Sequence, residues 1–283
     1  MFDPKSFLQN SFSKDDLFKT LERLGVKQAD TLLVHSSLFA LGLPSDNIVN
    51  LDEFYYKALR EYVGEQGTLI FPAFTYSYCK GQSFDIKNTQ SAVSSLANYC
   101  IHKHIGYRSA DALFSYIIDG PDAPNLKFSN VCFDIEDGIA GYMLDKNARV
   151  LMLGVGFAWL TAFYSVDQKL KVPYRFFKEF KGTTVYDTHE CESSFYYFCR
   201  ALCDNTVNNN DTIDTTLAQH GDKTMTVTLG RGSVSSALLS DLFFIFESYV
   251  KQDPWYFLQG PATDTGDLKD AAINKMLYPC YKL

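Results

Sequence analysis

This sequence of 283 residues lacks long hydrophobic runs, an excess of basic residues and the composition typical of disordered proteins. No apolar run reaches the ~18 residues that a membrane-spanning helix needs, so we expect no such helix. Lys plus Arg number 26 against 33 Asp plus Glu, and the net charge of −7 argues against a nucleic-acid binder, which carries a basic stripe. With 46% hydrophobic and 21% charged residues, the chain is expected to fold.

Targeting and disulfide signals are also absent. The N-terminal segment MFDPKSFLQNSFSKDD has neither the basic nor the apolar region of a signal peptide. The seven cysteines are an odd number without regular spacing, which is typical of reduced thiols. These observations predict a soluble, cytoplasmic protein.

Several common catalytic signatures are not found. There is no G-x-S-x-G nucleophile elbow and no G-x-x-x-x-G-K-[ST] phosphate loop. Gly154-x-Gly156 lacks the third glycine of a dinucleotide fingerprint, and the HEC sequence at 189–191 is not H-E-x-x-H. Serine hydrolases with a covalent intermediate, kinases, Rossmann dehydrogenases and zincins are therefore disfavoured.

Apolar strands and amphipathic helices alternate in the first half of the chain. Strands are predicted at 31–34, 68–71 and 148–155, and helices begin at the capping residues Ser13 and Asn50. This alternation predicts an α/β fold with a layered mixed β-sheet core flanked by helices.

The second half begins with a polar and aromatic segment at 183–203, followed by a surface loop at 208–210. A strand is predicted at 224–229, and the turn at 230–232 is expected to lead into a helix from about Ser235 to Lys251. A soft boundary near residue 175 divides the chain into an N-terminal part, 1–175, that carries coenzyme-binding turns and a C-terminal part, 176–283, that completes the cleft. The two parts are expected to share an interface or form one domain.

Histidines are the first candidates for chemistry, because imidazole titrates near neutral pH. His35 follows a predicted buried strand, where α/β sheets hold ligands, and a structural role is as well supported there as a functional one. A zinc site drawn from His189, Cys191, Cys199 and Cys203 is a weaker alternative, because the spacing fits no usual closed motif. No metal is expected.

A second candidate lies in LTAFYSVDQKL (160–170). If Thr161 caps a helix, Tyr164 and Asp167 stand three residues apart on one face. A phenol beside a carboxylate can take or relay a proton. The alternative is a helix with a half-buried tyrosine and a solvated aspartate.

Five stretches occur in a definite order: VHSSLFALG (34–42), GTLIFPAFTYS (67–77), GYRSADALFSYIIDGPDA (106–123), ARVLMLGVGFAWLTAFYSVDQKLKVPYRFFKEFKG (148–182) and LGRGSV (229–234). Together they resemble the signatures of the aminoglycoside 3-N-acetyltransferase family of coenzyme A-dependent N-acyltransferases. The resemblance spans roughly residues 12–258. It implies the fold of that family and acyl-CoA, with an acetyl or longer chain, as donor.

Two departures concern the catalytic histidines. In the family's T-x-x-H-x-x-E motif the histidine is the general base; Tyr164 stands at that position here, and Asp167 at the acidic one. The histidine of the family's R-S-x-H-P motif is replaced by Asp111. The resemblance thus implies Tyr164, Asp167 and Asp111 as catalytic positions. Tyr164 is expected to relay a proton or hold the amine if Asp167 accepts its hydroxyl hydrogen.

The matching turns imply a cleft for coenzyme and substrate. It is expected to involve His35, Ser36, Ser37, Leu38, Thr75, Arg108, Ser109 and Ser115. Backbone N–H groups near Ser36–Ser37 or Thr75 are the expected oxyanion donors.

Three functions are compatible with the sequence. The first is N-acylation of an amino sugar, in particular a dTDP-linked amino-deoxyhexose for surface polysaccharide such as O-antigen. The second is aminoglycoside acetylation and antibiotic resistance, with an acidic cleft supplied by Asp111, Asp134, Glu136 and Asp137. The third is an inactive coenzyme-binding homologue. Aromatic segments at 176–180 and 195–198 suit either a core or a homodimer face.

Overall fold

The computed structural model describes residues 10–46 and 48–263. Within those ranges the strands are β1 (Thr31–Ser36), β2 (Thr68–Pro72), β3 (Phe84–Asp85), β4 (Tyr107–Arg108), β5 (Tyr116–Asp119), β6 (Arg149–Leu153), β7 (Arg175–Val185), β8 (Glu190–Arg200), β9 (Met225–Leu229) and β10 (Gly232–Leu238). The helices are α1 (Lys14–Arg23), α2 (Leu38–Leu41), α3 (Leu51–Val63), α4 (Ser95–Lys103), α5 (Ile139–Asp145), α6 (Phe163–Leu170), α7 (Asn210–Ala218) and α8 (Leu239–Gln252).

A seven-stranded mixed sheet forms the centre, with the strand order β4-β5-β2-β1-β6-β10-β9. β1 runs parallel to β2 and β6, whereas β5 and β10 are antiparallel to their neighbours β2 and β6. The predicted mixed sheet flanked by helices is therefore confirmed. Its strands come from both sides of residue 175.

Both faces of this sheet are buried, which explains why its strands are nearly continuous apolar runs. On β1, Leu33 points to the layer that contains α5, α6 and α8. Its neighbour Leu32 points to the opposite layer, which contains α1, α3 and α4. Successive side chains of a strand point to opposite faces, so each strand contributes to both cores.

A smaller sheet of order β3-β7-β8 carries a long antiparallel hairpin. The hydroxyl of Tyr78, from the loop after β2, forms hydrogen bonds of 2.6 Å with the hydroxyls of Thr184 and Ser193 on this hairpin. On β8, the ring of Tyr197 packs against Phe114 at 4.6 Å between centroids. The hairpin therefore adjoins the loops at one edge of the main sheet.

The predicted helix from about Ser235 is wrong in its first part. Residues 232–238 form β10, and helix α8 begins only at Leu239. β10 pairs with β6 over five residues and with β9 on its other side, so its backbone groups are satisfied within the main sheet. The strand predicted at 224–229 is confirmed as β9. No helix in the described parts of the chain is long and apolar enough to cross a membrane.

Candidate active site

The carboxyl ends of β1, β2 and β6 lie at one edge of the main sheet because these strands are parallel. His35 and Ser36 close β1, the Ala73–Thr75 segment follows β2, and Gly154 follows β6. The antiparallel β5 begins at the same edge, next to Asp111. Such an edge is where open α/β sheets bind ligands.

The turn after β1 is held by the loop after β6. The Ser37 N–H donates to Leu153 O at 2.8 Å. Gly154 has φ +72°, and a Cβ atom there would lie 2.6 Å from Ser37 O, so only glycine fits. Leu38 is buried in the core, while Ser36 is partly exposed and Ser37 is exposed.

His35 sits in this turn with a buried, unsatisfied nitrogen. Its Nε2 has no hydrogen-bond partner among the described residues. Burial lowers the pKa of His35 to about 4, so the ring is neutral at pH 7. An orphaned imidazole nitrogen at the ligand-binding edge fits the predicted contact with a coenzyme.

His35 gives a pH dependence of stability with a defined sign. Because its pKa is near 4 when folded and about 6.5 when unfolded, the unfolded state binds the extra proton first as the pH falls. We expect the free energy of unfolding to fall by at most about 1.4 kcal/mol per pH unit between pH 6.5 and 4 from this residue. Urea titrations of the wild type and His35→Gln measure the difference; parallel pH curves would contradict it.

Arg108, Ser109, Ser115 and Thr75 lie beneath this edge with little exposed surface. The Arg108 guanidinium donates to Thr89 O at 2.6 Å, to Ala73 O at 3.0 Å and to Ser115 Oγ at 3.2 Å. Burial lowers the pKa of Arg108 to about 10. These bonds brace the loops that surround the site, and coenzyme binding by the four residues remains a prediction.

The expected oxyanion donors already have partners. The Thr75 N–H donates to Leu113 O at 3.2 Å, and the Ser37 N–H is bonded to Leu153 O. Neither group is available in this structure without a local change.

Asp111 organises the loop before β5. Its Oδ1 accepts the N–H groups of Leu113 and Phe114 at 2.8 and 2.9 Å. Burial raises the pKa of the Asp111 carboxyl despite these two bonds. The carboxyl also lies against the Cys132 thiol, whose pKa is raised mainly by burial. Asp111 is therefore a buried carboxyl near the site, and its catalytic role stays a prediction.

Tyr164 and Asp167 both project from α6, but the structure does not join them. Asp167 accepts the Tyr174 hydroxyl at 3.1 Å and pairs with Arg175 Nε at 2.8 Å. The Arg175 guanidinium in turn lies 4.4 Å from the centre of the Tyr164 ring. The sequence anticipated an Asp167 that accepts the Tyr164 hydroxyl; instead Arg175 lies between them. Burial raises the pKa of Asp167, and Arg175 counteracts this shift.

Helix α6 also differs from expectation at its start. Ala162 is the N-cap residue that precedes the helix, and it makes no side-chain capping bond. No hydrogen bond joins Thr161 Oγ1 to the first turn of the helix in the described residues, so Thr161 does not cap the helix.

A cavity of ≈ 360 Å³ opens beside Tyr164. Its lining consists of Tyr164, Arg200, residues 207–211 and Gln259. Arg200 donates to Ala201 O and Thr206 Oγ1 at 3.3 and 3.2 Å. Among the described residues no carboxylate forms an ion pair with Arg200.

Sequence reasoning missed Arg175, Arg200 and the asparagines of this cavity. Asn208–Asn210 were predicted as a surface loop, but Asn209 caps α7 by accepting the Thr212 N–H at 3.1 Å. The P-Y-R stretch at 173–175 was the available signal for Arg175.

The zinc alternative has no support in the described residues, where no group of three or more His, Cys, Asp or Glu side chains is placed to hold a metal ion. His189 stacks on Tyr186 at 5.0 Å between ring centroids. The six cysteines within the described ranges form no disulfide bond with one another. Cys280 lies outside these ranges.

Solved structures of aminoglycoside acetyltransferases share this fold. The AAC(3)-IVa apoenzyme is 21% identical, with a TM-score of 0.73 over 94% of this chain and 98% of its own. AAC-IIIb in a binary complex with CoASH is 16% identical, with a TM-score of 0.72 over 89% and 99%. Sisomicin-bound AAC-VIa is 16% identical, with a TM-score of 0.71 over 86% and 98%. A search of curated proteins finds no match.

A family profile described as aminoglycoside 3-N-acetyltransferase matches residues 33–250, well over half of the chain. The class defined by this match is that of acyl-CoA-dependent N-acyltransferases. The chain belongs to the aminoglycoside 3-N-acetyltransferase family.

Proposed function

We propose that the chain transfers an acyl group from acyl-CoA to the amine of a nucleotide-linked amino sugar, of the dTDP-amino-deoxyhexose type that supplies surface polysaccharides. The observation that carries this proposal is the lining of the cavity at Tyr164. It contains one cation, Arg200, and one carboxylate, Asp211, among neutral amides. An aminoglycoside carries several positive charges and calls for a predominantly acidic lining.

Arg200 supports the nucleotide part of the substrate. Its guanidinium lines the cavity without a carboxylate partner among the described residues. Burial lowers the pKa of Arg200, which reflects the cost of an uncompensated cation. A diphosphate would supply the missing negative charge, and arginine suits phosphate geometry.

The proposed reaction starts with a neutral amine at Tyr164. The amine nitrogen attacks the thioester carbonyl carbon, a C–N bond forms and the C–S bond breaks. One N–H proton must leave the nitrogen, and the coenzyme sulfur must gain one. Tyr164 is proposed to accept the first proton while it donates its own towards the sulfur, so that the phenol never ionises completely.

The coenzyme is proposed to lie along the carboxyl ends of β1, β2 and β6. The partly exposed Ser36 and the exposed Ser37 carry hydroxyls there, and His35 Nε2 is a buried polar atom without a partner among the described residues. The pantetheine arm contains amides that can bond to such groups. Asp111 and Asp167 are proposed to act indirectly, by holding neighbouring protein groups in place and not by contacting the reacting atoms.

A comparison of substrates with and without a nucleotide tests this function. We expect Arg200→Gln to lower kcat/KM for a dTDP-amino-deoxyhexose about tenfold to hundredfold, because a charged hydrogen bond is lost. The free amino sugar should lose little. Coenzyme A release measures both rates, and Arg23→Gln on the exposed end of α1 is the matched control. Equal losses with the two substrates would contradict the phosphate contact, and faster acetylation of an aminoglycoside would overturn the substrate class.

Aminoglycoside acetylation is the second candidate. It is favoured by the exposed acids Glu136 and Asp137, next to the partly exposed Asp134. Asp134 is engaged by Ser129 Oγ at 2.9 Å and the Glu136 N–H at 3.0 Å. None of these three acids lines the cavity at Tyr164, which is why we place this function second.

A further inference from the structure

Arg175 is a buried cation that packs against the ring of the proposed proton-transferring group, Tyr164. It starts β7, immediately after the loop that follows α6, and its side chain is only 2% exposed. Its guanidinium carbon lies 4.4 Å from the centre of the Tyr164 ring. A guanidinium over an aromatic face interacts favourably with the ring, and the effect is larger when water is excluded.

The orientation of this guanidinium is fixed from three sides. Nε donates to Asp167 Oδ2 at 2.8 Å, and one terminal nitrogen donates to Phe198 O at 3.1 Å and to the Tyr197 hydroxyl at 3.4 Å. The second oxygen of Asp167 accepts the Tyr174 hydroxyl. Both oxygens of Asp167 therefore have a partner other than Tyr164.

We propose that Arg175 is a positioning residue for the transferase reaction, held by Asp167 so that its charge stabilises negative charge developing on the Tyr164 oxygen. This inference rests on the proposed role of Tyr164 as proton relay. In this arrangement Asp167, which stands at the acidic position of the family motif, acts on Tyr164 through Arg175. Asp167 then compensates the buried cation, and Arg175 compensates the transient phenolate character.

Other groups also face Tyr164. Tyr76 approaches it from the loop after β2, Tyr197 and Arg200 approach from β8, and Arg200 and Asp211 share the cavity with it. Burial raises the pKa of Tyr76 to about 12 and that of Tyr197 well above its usual value, so both stay neutral. Arg175 differs from Arg200 because it lies over the ring face and is fixed by a carboxylate.

Removing only Arg175 would leave Asp167 buried without its ion-pair partner, which strongly destabilises the folded state. The test therefore uses the neutral pair Asp167→Asn/Arg175→Gln, which keeps amide donors and acceptors in place of the ion pair. Arg175→Lys serves as the charge-conserving variant. All variants are assayed as full-length protein with acyl-CoA and the amino-sugar substrate, after circular dichroism and thermal melts confirm folding.

We expect the neutral pair to lower kcat about tenfold to thirtyfold at pH 7, with KM for acyl-CoA changed less than twofold. Arg175→Lys should retain more activity than the neutral pair, because it keeps the positive charge beside Tyr164. A folded neutral pair with the kcat of the wild type would overturn the inference, since it would assign the ion pair to packing alone.

A double-mutant cycle separates this inference from the proposed function. Combined with Tyr164→Phe, the neutral pair should cause no further loss, because both changes remove the same step. If Tyr164→Phe alone is fully active, the proposed relay fails. If Tyr164→Phe is inactive but the neutral pair is not, only the role of Arg175 fails.

Discussion

Replacing Tyr164 by phenylalanine is expected to lower kcat about 10²–10⁴-fold, the contribution of a positioned acid–base group. The ring would keep its contacts with Phe133 and Arg175, so the fold should be unchanged. KM for acyl-CoA should change little, because the hydroxyl acts on the proton and not on the coenzyme. Steady-state coenzyme A release with the amino-sugar substrate measures both constants.

Tyr164→His is the matched control for this prediction. It restores the histidine that the family motif has at this position, and we expect it to retain more activity than Tyr164→Phe. A phenylalanine variant within threefold of the wild-type kcat would show that the hydroxyl is not the relay.

The second large effect concerns the free energy of unfolding. Asp167→Ala is expected to lower it by about 3–5 kcal/mol, because Arg175 then keeps a buried charge without its partner. The loss of the acceptor for the Tyr174 hydroxyl adds to this cost. Urea unfolding followed by tryptophan fluorescence gives the value.

The neutral pair Asp167→Asn/Arg175→Gln is the control here too, and it should lose clearly less stability than Asp167→Ala. Removing both charges of a buried pair avoids the uncompensated ion, even though the hydrogen bonds change. An Asp167→Ala variant within 1 kcal/mol of the wild type would mean that water reaches Arg175 and that the pair is not effectively buried.

The central strands were predictable because they are buried on both faces. Runs such as 31–34 and 148–155 have few polar residues, and such runs fit only the middle of a covered sheet. The start of α8 was not predictable in the same way. The sequence SVSSAL follows a turn and suits the start of a helix as well as a strand. It forms the strand β10 because it pairs with β6, some 80 residues earlier in the chain.

The site was predictable as a position but not as a set of contacts. Tyr164 was identified from the motif, and the cavity does open beside it. The partner of Asp167 was not identified, because spacing on one helix cannot reveal that Arg175, from the following strand, donates a hydrogen bond to the Asp167 carboxylate. Arg200 and Asn208–Asn210 come from distant segments that only the folded chain brings to Tyr164.

A crystal structure of the protein with coenzyme A would show directly where the acyl donor binds relative to Tyr164. We expect the pantetheine arm to lie along the carboxyl ends of β1, β2 and β6, with the coenzyme sulfur within hydrogen-bonding reach of the Tyr164 hydroxyl, directly or through one water. A pantetheine arm that ends elsewhere, with the cavity between Tyr164 and Arg200 out of its reach, would contradict it.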